Sequence, residues 1–102
     1  MRLIATHIND NLGILDFSGS ITWHDDLHLL PFDGIGDWAD IVRRLRGFDG
    51  PLTFELSTIS KPDRHENDKY ARLSPEEYIA EAYSRACRVA ALVMKADETA
   101  GE

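Results

Sequence analysis

The sequence predicts an α/β fold, a β-α-β-α run of the kind that builds a parallel sheet with helical crossovers. Two short apolar segments alternate with period two, and each is followed, after a loop, by a stripe of helical period. The order is strand, long loop, helix, strand, loop, helix.

The first strand is expected over about 3–8, Leu-Ile-Ala-Thr-His-Ile, short and β-branched. Its alternation puts Ile4, Thr6 and Ile8 on one face and Leu3, Ala5 and His7 on the other. Residues 10–36 show no sustained period and read as one long loop, a length that compact domains keep for functional segments. A helix is expected over about 37–46. Asp37 is its N-cap, and Trp38, Ile41, Val42 and Leu45 supply one buried stripe. Gly47 and the Asp49-Gly50-Pro51 turn end it.

The second strand, about 52–56, sets Leu52, Phe54 and Leu56 on one face and Thr53 and Glu55 on the other. Ser57 to Leu73 reads as an exposed polar loop. Ser74-Pro75-Glu76-Glu77 is a capping box with proline at the first helical position, opening a helix over about 75–94. Ile79, Ala82, Ala86, Val89, Ala90 and Val93 form its expected apolar stripe, and the tail from Asp97 is expected to fray. Two strands and two helices cover each other poorly, and Met1 begins almost inside the first strand. The 102 residues are therefore expected to be part of a larger fold.

The composition is that of an ordinary soluble chain, 43% hydrophobic with a formal net charge of −7. No basic stripe is present to attract phosphate backbones, so nucleic acid is not the expected partner. No apolar run reaches the roughly 20 residues of a membrane span, and the first residues do not read as a signal peptide. A single cysteine, Cys87, fits a reducing, cytoplasmic setting.

Four candidate metal ligands stand out: His7, Asp26, His28 and Glu55. His7 and Glu55 sit near the ends of the two strands, on the face opposite the large aliphatics. Asp26-Leu27-His28 lies in the loop leaving the same edge. Imidazoles mixed with carboxylates suit Mn, Zn, Fe or Co better than Ca. His24, Asp25 and Asp33 read as surface residues. Arg64, in an exposed loop, is a candidate contact for a substrate phosphate or carboxylate.

Taken together and in order, these motifs resemble a known family. His7-Ile8-Asn9-Asp10 is similar to the seventh-strand His-x-x-Asp signature of the xylose isomerase-like TIM barrels, the sugar isomerases and epimerases related to endonuclease IV. Asp26-Leu27-His28, followed by Pro31-Phe32-Asp33-Gly34-Ile35-Gly36 and Asp37-Trp38, resembles the segment that follows. Asp49-Gly50-Pro51-Leu52-Thr53-Phe54-Glu55 resembles the eighth strand.

The resemblance implies that residues 1–102 are a C-terminal fragment, the last two βα repeats of a (β/α)8 barrel. It implies a divalent metal (Mn, Zn, Co or Mg) held by His7 and Glu55, with further ligands from parts of the barrel outside this chain. Glu55 would also move a proton through an enediolate in a sugar or sugar-phosphate substrate. Asp26 and His28 would be added ligands in the endonuclease IV branch and loop or substrate contacts in the isomerase branch. The isolated chain is expected to be inactive and to self-associate or to pair with the remainder of a barrel. The alternatives are a fragment of an endonuclease IV-like metal nuclease, or a non-catalytic chain that completes a barrel with a partner.

Overall fold

The computed structural model describes residues 3, 5–13 and 23–100. A 3-10 turn spans Trp23–Asp25, and three α-helices follow: α1 Trp38–Arg44, α2 Asp68–Ala71 and α3 Pro75–Ala100. The expected β-α-β-α unit does not form. Among the described residues there is no strand and no sheet, only two isolated bridges, one parallel between Ile8 and Phe54 and one antiparallel between Asp10 and Leu29. The fold is predominantly helical, and the α/β assignment is corrected accordingly.

The reason lies in how the backbone groups around Ile8 are used. Its N–H donates to Thr53 O at 2.8 Å and its carbonyl accepts from Glu55 N at 2.9 Å, one rung of a parallel ladder. One residue pair earlier the rung is made by a side chain: Thr53 N donates to Thr6 Oγ1, and that hydroxyl donates to the carbonyl of Pro51. Two positions later Asp10 pairs with Leu29, exchanging N–H···O bonds of 2.9 and 3.0 Å. Among the described residues no further bridge extends either segment, and a two-stranded pair alone is marginal. Ile4 and the part of the long loop over 14–22 lie outside the described residues.

The helices are nearer to their sequence signals. Asp37 caps α1, its side chain accepting from Asp40 N, and the helix stops at Arg44. Ser74 and Glu77 close a reciprocal capping box at 3.0 and 3.1 Å, and α3 runs to Ala100 rather than fraying from Asp97. The stretch 57–73 is not a simple exposed loop, because α2 lies within it and Asn67 and Tyr70 are buried.

Two small cores result. Trp38, Val42 and Val89 form one, joined by Ile8, Phe32, Phe54 and Leu92, with Trp38 edge-on to Phe54 at 6.4 Å. Leu27, Leu29, Leu30 and Tyr70 form the other, joined by Leu12, Leu56, Tyr78 and Ala82. Helix α3 turns the face of Tyr78, Ala82, Val89 and Leu92 inward, so the expected stripe is rotated: Ile79 and Ala90 lie outside.

Between the cores the loop 29–36 is fastened at two acidic points. Asp10 is the first, a buried carboxylate. Its Oδ1 accepts from Asn11 N and Gly36 N, and its Oδ2 from Phe32 N and Trp38 Nε1, all at 2.8 to 3.0 Å. Asp33 is the second, accepting from Tyr70 Oη at 2.6 Å and Arg85 Nη1 at 2.7 Å. Asp25 and Asp33 are thus largely enclosed rather than surface residues.

Candidate functional site

The parallel rung decides which side chains share a face. Ile8 and Phe54 both point into the Trp38 core, so the alternate residues His7 and Glu55 point the other way. They meet there, His7 Nδ1 lying 2.9 Å from Glu55 Oε2, with both side chains more than half exposed. The register that buries Phe54 therefore aims Glu55 at solvent beside His7.

His28 stands next to this pair. Its backbone is in the left-handed region, φ 53°, a conformation uncommon for any residue but glycine. That twist turns the ring back toward the bridge. Nε2 lies 2.9 Å from Asp26 Oδ2, and Nδ1 lies 2.9 Å from the Glu55 carbonyl, 3.2 Å from Asn9 Nδ2 and 3.9 Å from Glu55 Oε1. The four residues singled out from sequence thus form a chain of contacts, His7–Glu55–His28–Asp26, on one edge of the molecule.

Nε2 faces the Asp26 carboxylate, which only accepts, while Nδ1 stands between an acceptor, the Glu55 carbonyl, and a donor, the Asn9 amide. Burial pulls the His28 pKa down, but the bonds to the Glu55 carbonyl and the Asp26 carboxylate, with the charges of Asp26 and Glu55, outweigh it. The net direction is up from the ordinary histidine value. In this arrangement His28 links Asp26 to the backbone at Glu55, and a metal would need a ring lone pair instead. Among the described residues no group of three or more His, Cys, Asp or Glu side chains is gathered as a metal site. The contacts run in a line rather than around one point.

Arg64 is placed in a different network. Its Nη1 is 3.2 Å from Asp25 Oδ1 and its Nε 2.9 Å from Glu66 Oε1, with the side chain mostly enclosed. It ties the stretch after the bridge to the turn at Trp23–Asp25 and so supports the loop that carries Asp26.

Two further residues shape this edge, neither of them among the candidate ligands. Asn9, between His7 and the Asp10 anchor, reaches the His28 ring. Asp10 itself is the anchor of the loop. Burial alone would raise its carboxyl, but the Trp38 indole N–H and backbone N–H groups of the loop, those of Gly36 and Asn11 among them, hold it below the usual carboxylate range. The signal was present in the glycines: a Cβ at Gly34 would lie 2.2 Å from Asn11 O and 2.3 Å from Asp10 Oδ1. Gly-x-Gly here lets a loop close over a buried carboxylate.

Over 101 residues, 97% of its length, the chain is 36% identical to the uncharacterized protein y4fM of Sinorhizobium fredii. That match covers 26% of y4fM, so the chain spans about a quarter of the length of the curated relative it matches. No protein-family model matches the chain, and no solved structure matches it. No described helix is long and apolar enough to cross a membrane.

Proposed function

We propose that this chain carries one edge of the active site of a divalent-metal-dependent sugar or sugar-phosphate isomerase or epimerase, as its likeness to the xylose isomerase-like enzymes implies. The observation that supports this reading is the contact of His7 with Glu55 at 2.9 Å on an open edge, with His28 and Asp26 beside them. Imidazole and carboxylate donors suit a divalent transition cation. His7 and Glu55 would hold it. His28, with Nε2 against Asp26 and Nδ1 against the Glu55 carbonyl, would brace Glu55 rather than bind. Further ligands would come from polypeptide outside this segment, in keeping with the greater length of y4fM.

When bound, the metal would polarise the substrate's carbonyl and neighbouring hydroxyl. The work of this chain is proton transfer. Glu55, held by His7 at one oxygen and by His28 through its own carbonyl, would remove the proton from the carbon beside the carbonyl, leaving an enediolate. Delivery of that proton to the adjacent carbon, with the hydroxyl proton passing between the two oxygens, would be an isomerisation. Delivery of a different proton to the opposite face of the same carbon, by an acid from polypeptide outside this segment, would be an epimerisation. We place such an enzyme in the cytoplasm, where the exposed thiol of Cys87 would stay reduced.

The test uses polypeptide of the length of y4fM that carries this segment. Incubated in D2O with Mn2+, Co2+ or Zn2+ and a panel of ketoses and ketose phosphates, it should exchange a carbon-bound proton adjacent to the carbonyl, read by NMR. His7→Ala and Glu55→Ala should abolish exchange, and Asp26→Ala should reduce it less. Absence of metal-dependent exchange from the folded protein would overturn the reading. Equal damage from Asp26→Ala would move Asp26 from the support of His28 to the metal itself.

A further inference from the structure

His28 holds a backbone conformation that few residues adopt unaided, φ 53°, and such a twist persists only where its surroundings fix it. Two peptide planes define it, one carrying the Leu27 carbonyl and the next carrying the carbonyl of His28 itself. The second is held by Ser57 N, which donates to His28 O at 3.2 Å. The first is held by a side chain 40 residues further along. Asn67 Nδ2 donates to Leu27 O at 2.9 Å and, with its other hydrogen, to Ser57 O at 2.9 Å.

The surroundings of Asn67 suit it to that task and to little else. It stands at the N-cap of α2, where an asparagine side chain ordinarily accepts from the helix, yet it makes no capping bond. It is 1% exposed, and its Oδ1 is buried with no hydrogen-bond partner among the described residues. Only the NH2 end of an amide can face two carbonyls, so the orientation of the side chain is settled by chemistry. Leu27 is fully buried, so its carbonyl has no water to turn to if Asn67 is removed.

We propose that Asn67 is a positioning residue of the candidate edge. By tying the Leu27 carbonyl to that of Ser57, it keeps His28 in its left-handed conformation and so aims the imidazole at Asp26 and at the Glu55 carbonyl. His7 reaches Glu55 by a different route, through the parallel rung in which Ile8 N donates to Thr53 O and Glu55 N donates to Ile8 O. The two imidazoles beside Glu55 are thus set by separate devices, and only one of them passes through Asn67. The catalytic consequence rests on the isomerase or epimerase reading above; the placement of His28 does not.

The test uses the same polypeptide of the length of y4fM. Asn67→Leu keeps a side chain of similar size and removes both donors. The NMR signals of the His28 ring should move, while those of the His7 ring should stay. In the D2O exchange assay the rate at saturating ketose should fall about tenfold or more with KM changed less than about twofold, because Asn67 acts through His28 and touches no substrate. Asn67→Ser has a single donor and cannot hold both carbonyls, so it should move the His28 signals in the same direction even if the leucine variant does not fold. Tyr70→Phe controls for loss of stability alone. It removes from α2 a hydroxyl that joins Leu30 N to Asp33, and it should leave both rings and the exchange rate as they are. Unmoved His28 signals in the Asn67 variants would overturn the proposal, and so would equal movement of both rings or equal movement in Tyr70→Phe. Displaced His28 signals with an undiminished exchange rate would overturn the positioning role. A wild type without exchange would overturn the isomerase reading alone, and the two rings would still decide what Asn67 places.

Discussion

Asp10 and Glu55 are both carboxylates beside the same parallel rung, and they have opposite surroundings. Asp10 is buried and accepts from three backbone N–H groups and one indole, none of which changes charge near neutral pH. Glu55 is half exposed, and its neighbours are the imidazoles of His7 and His28. A carboxylate enclosed by fixed donors holds a loop in place. One at an open edge is within reach of something that arrives from outside. His-x-x-Asp thus combines an exposed residue and a buried one, three positions apart, and the bridge between them turns one out and the other in.

The largest effects should come from the Asp10 side. Asp10→Ala strands four donors in a closed loop, and each buried orphan costs about 1–3 kcal/mol without strict additivity. A loss of at least about 3 kcal/mol is expected by urea denaturation, enough to unfold a chain of this size under mild conditions. Asp10→Asn should be nearly as damaging, because its amide group would point hydrogens at two existing N–H donors. Gly34→Ala should fall in the same class, since its methyl would meet Asn11 O and Asp10 Oδ1 inside contact distance. A fully stable Asp10→Ala variant would break the comparison at its structural end.

The contrast between these residues was only partly legible in the sequence. Caps were readable because they are local: Asp37 and the Ser74–Glu77 box need only their own helix. The strands were not, because a strand needs neighbours, and Thr6, Pro51 and Asp10 spend their backbone or side-chain groups elsewhere. The inward face of α3 was legible in part: Ala82, Val89 and Val93 pack in the cores, whereas Ile79 and Ala90 lie outside. Its buried face includes Arg85, which bonds the Pro31 carbonyl and Asp33, so an arginine stands where the apolar stripe was sought further round. The candidate site fared better. Alternation alone put His7 and Glu55 on the same face, although the backbone twist at His28 that completes the edge has no signature in the chain.

A medium effect should appear on acidification. The Asp33 carboxyl is raised by burial but more strongly lowered by its bonds to Tyr70 and Arg85 and by the charges of Arg85 and Lys69, so its net shift is down. Asp10 is shifted the same way. A group with a lowered folded pKa stabilises fully above its unfolded value, near 3.8, and loses that contribution as pH falls through the lower folded value. The chain should therefore be stable across neutral and mildly acidic pH and unfold cooperatively only in strong acid. Asp33→Asn, followed by circular dichroism, should lose stability at pH 7 and show a shallower acid limb. An acid transition as steep as that of the wild type would remove Asp33 from the linkage.

The smallest effect on stability should come from Glu55. Its contact with His7 is between two largely exposed side chains, and such pairs contribute about 0.5 kcal/mol or less. The backbone rung that positions it uses the Glu55 N–H and carbonyl, which Glu55→Gln retains. The variant should therefore melt within a degree or two of the wild type, since a 1 kcal/mol change moves the midpoint of a chain of this size by about 4–8 °C. The same substitution removes the carboxylate that the proposed proton transfer requires. If Glu55→Gln costs as much stability as Asp10→Ala, the outward carboxylate is structural after all, and the edge loses its claim to chemistry. If stability holds and metal-dependent exchange disappears, the division of labour between the two carboxylates is drawn where the parallel rung places it.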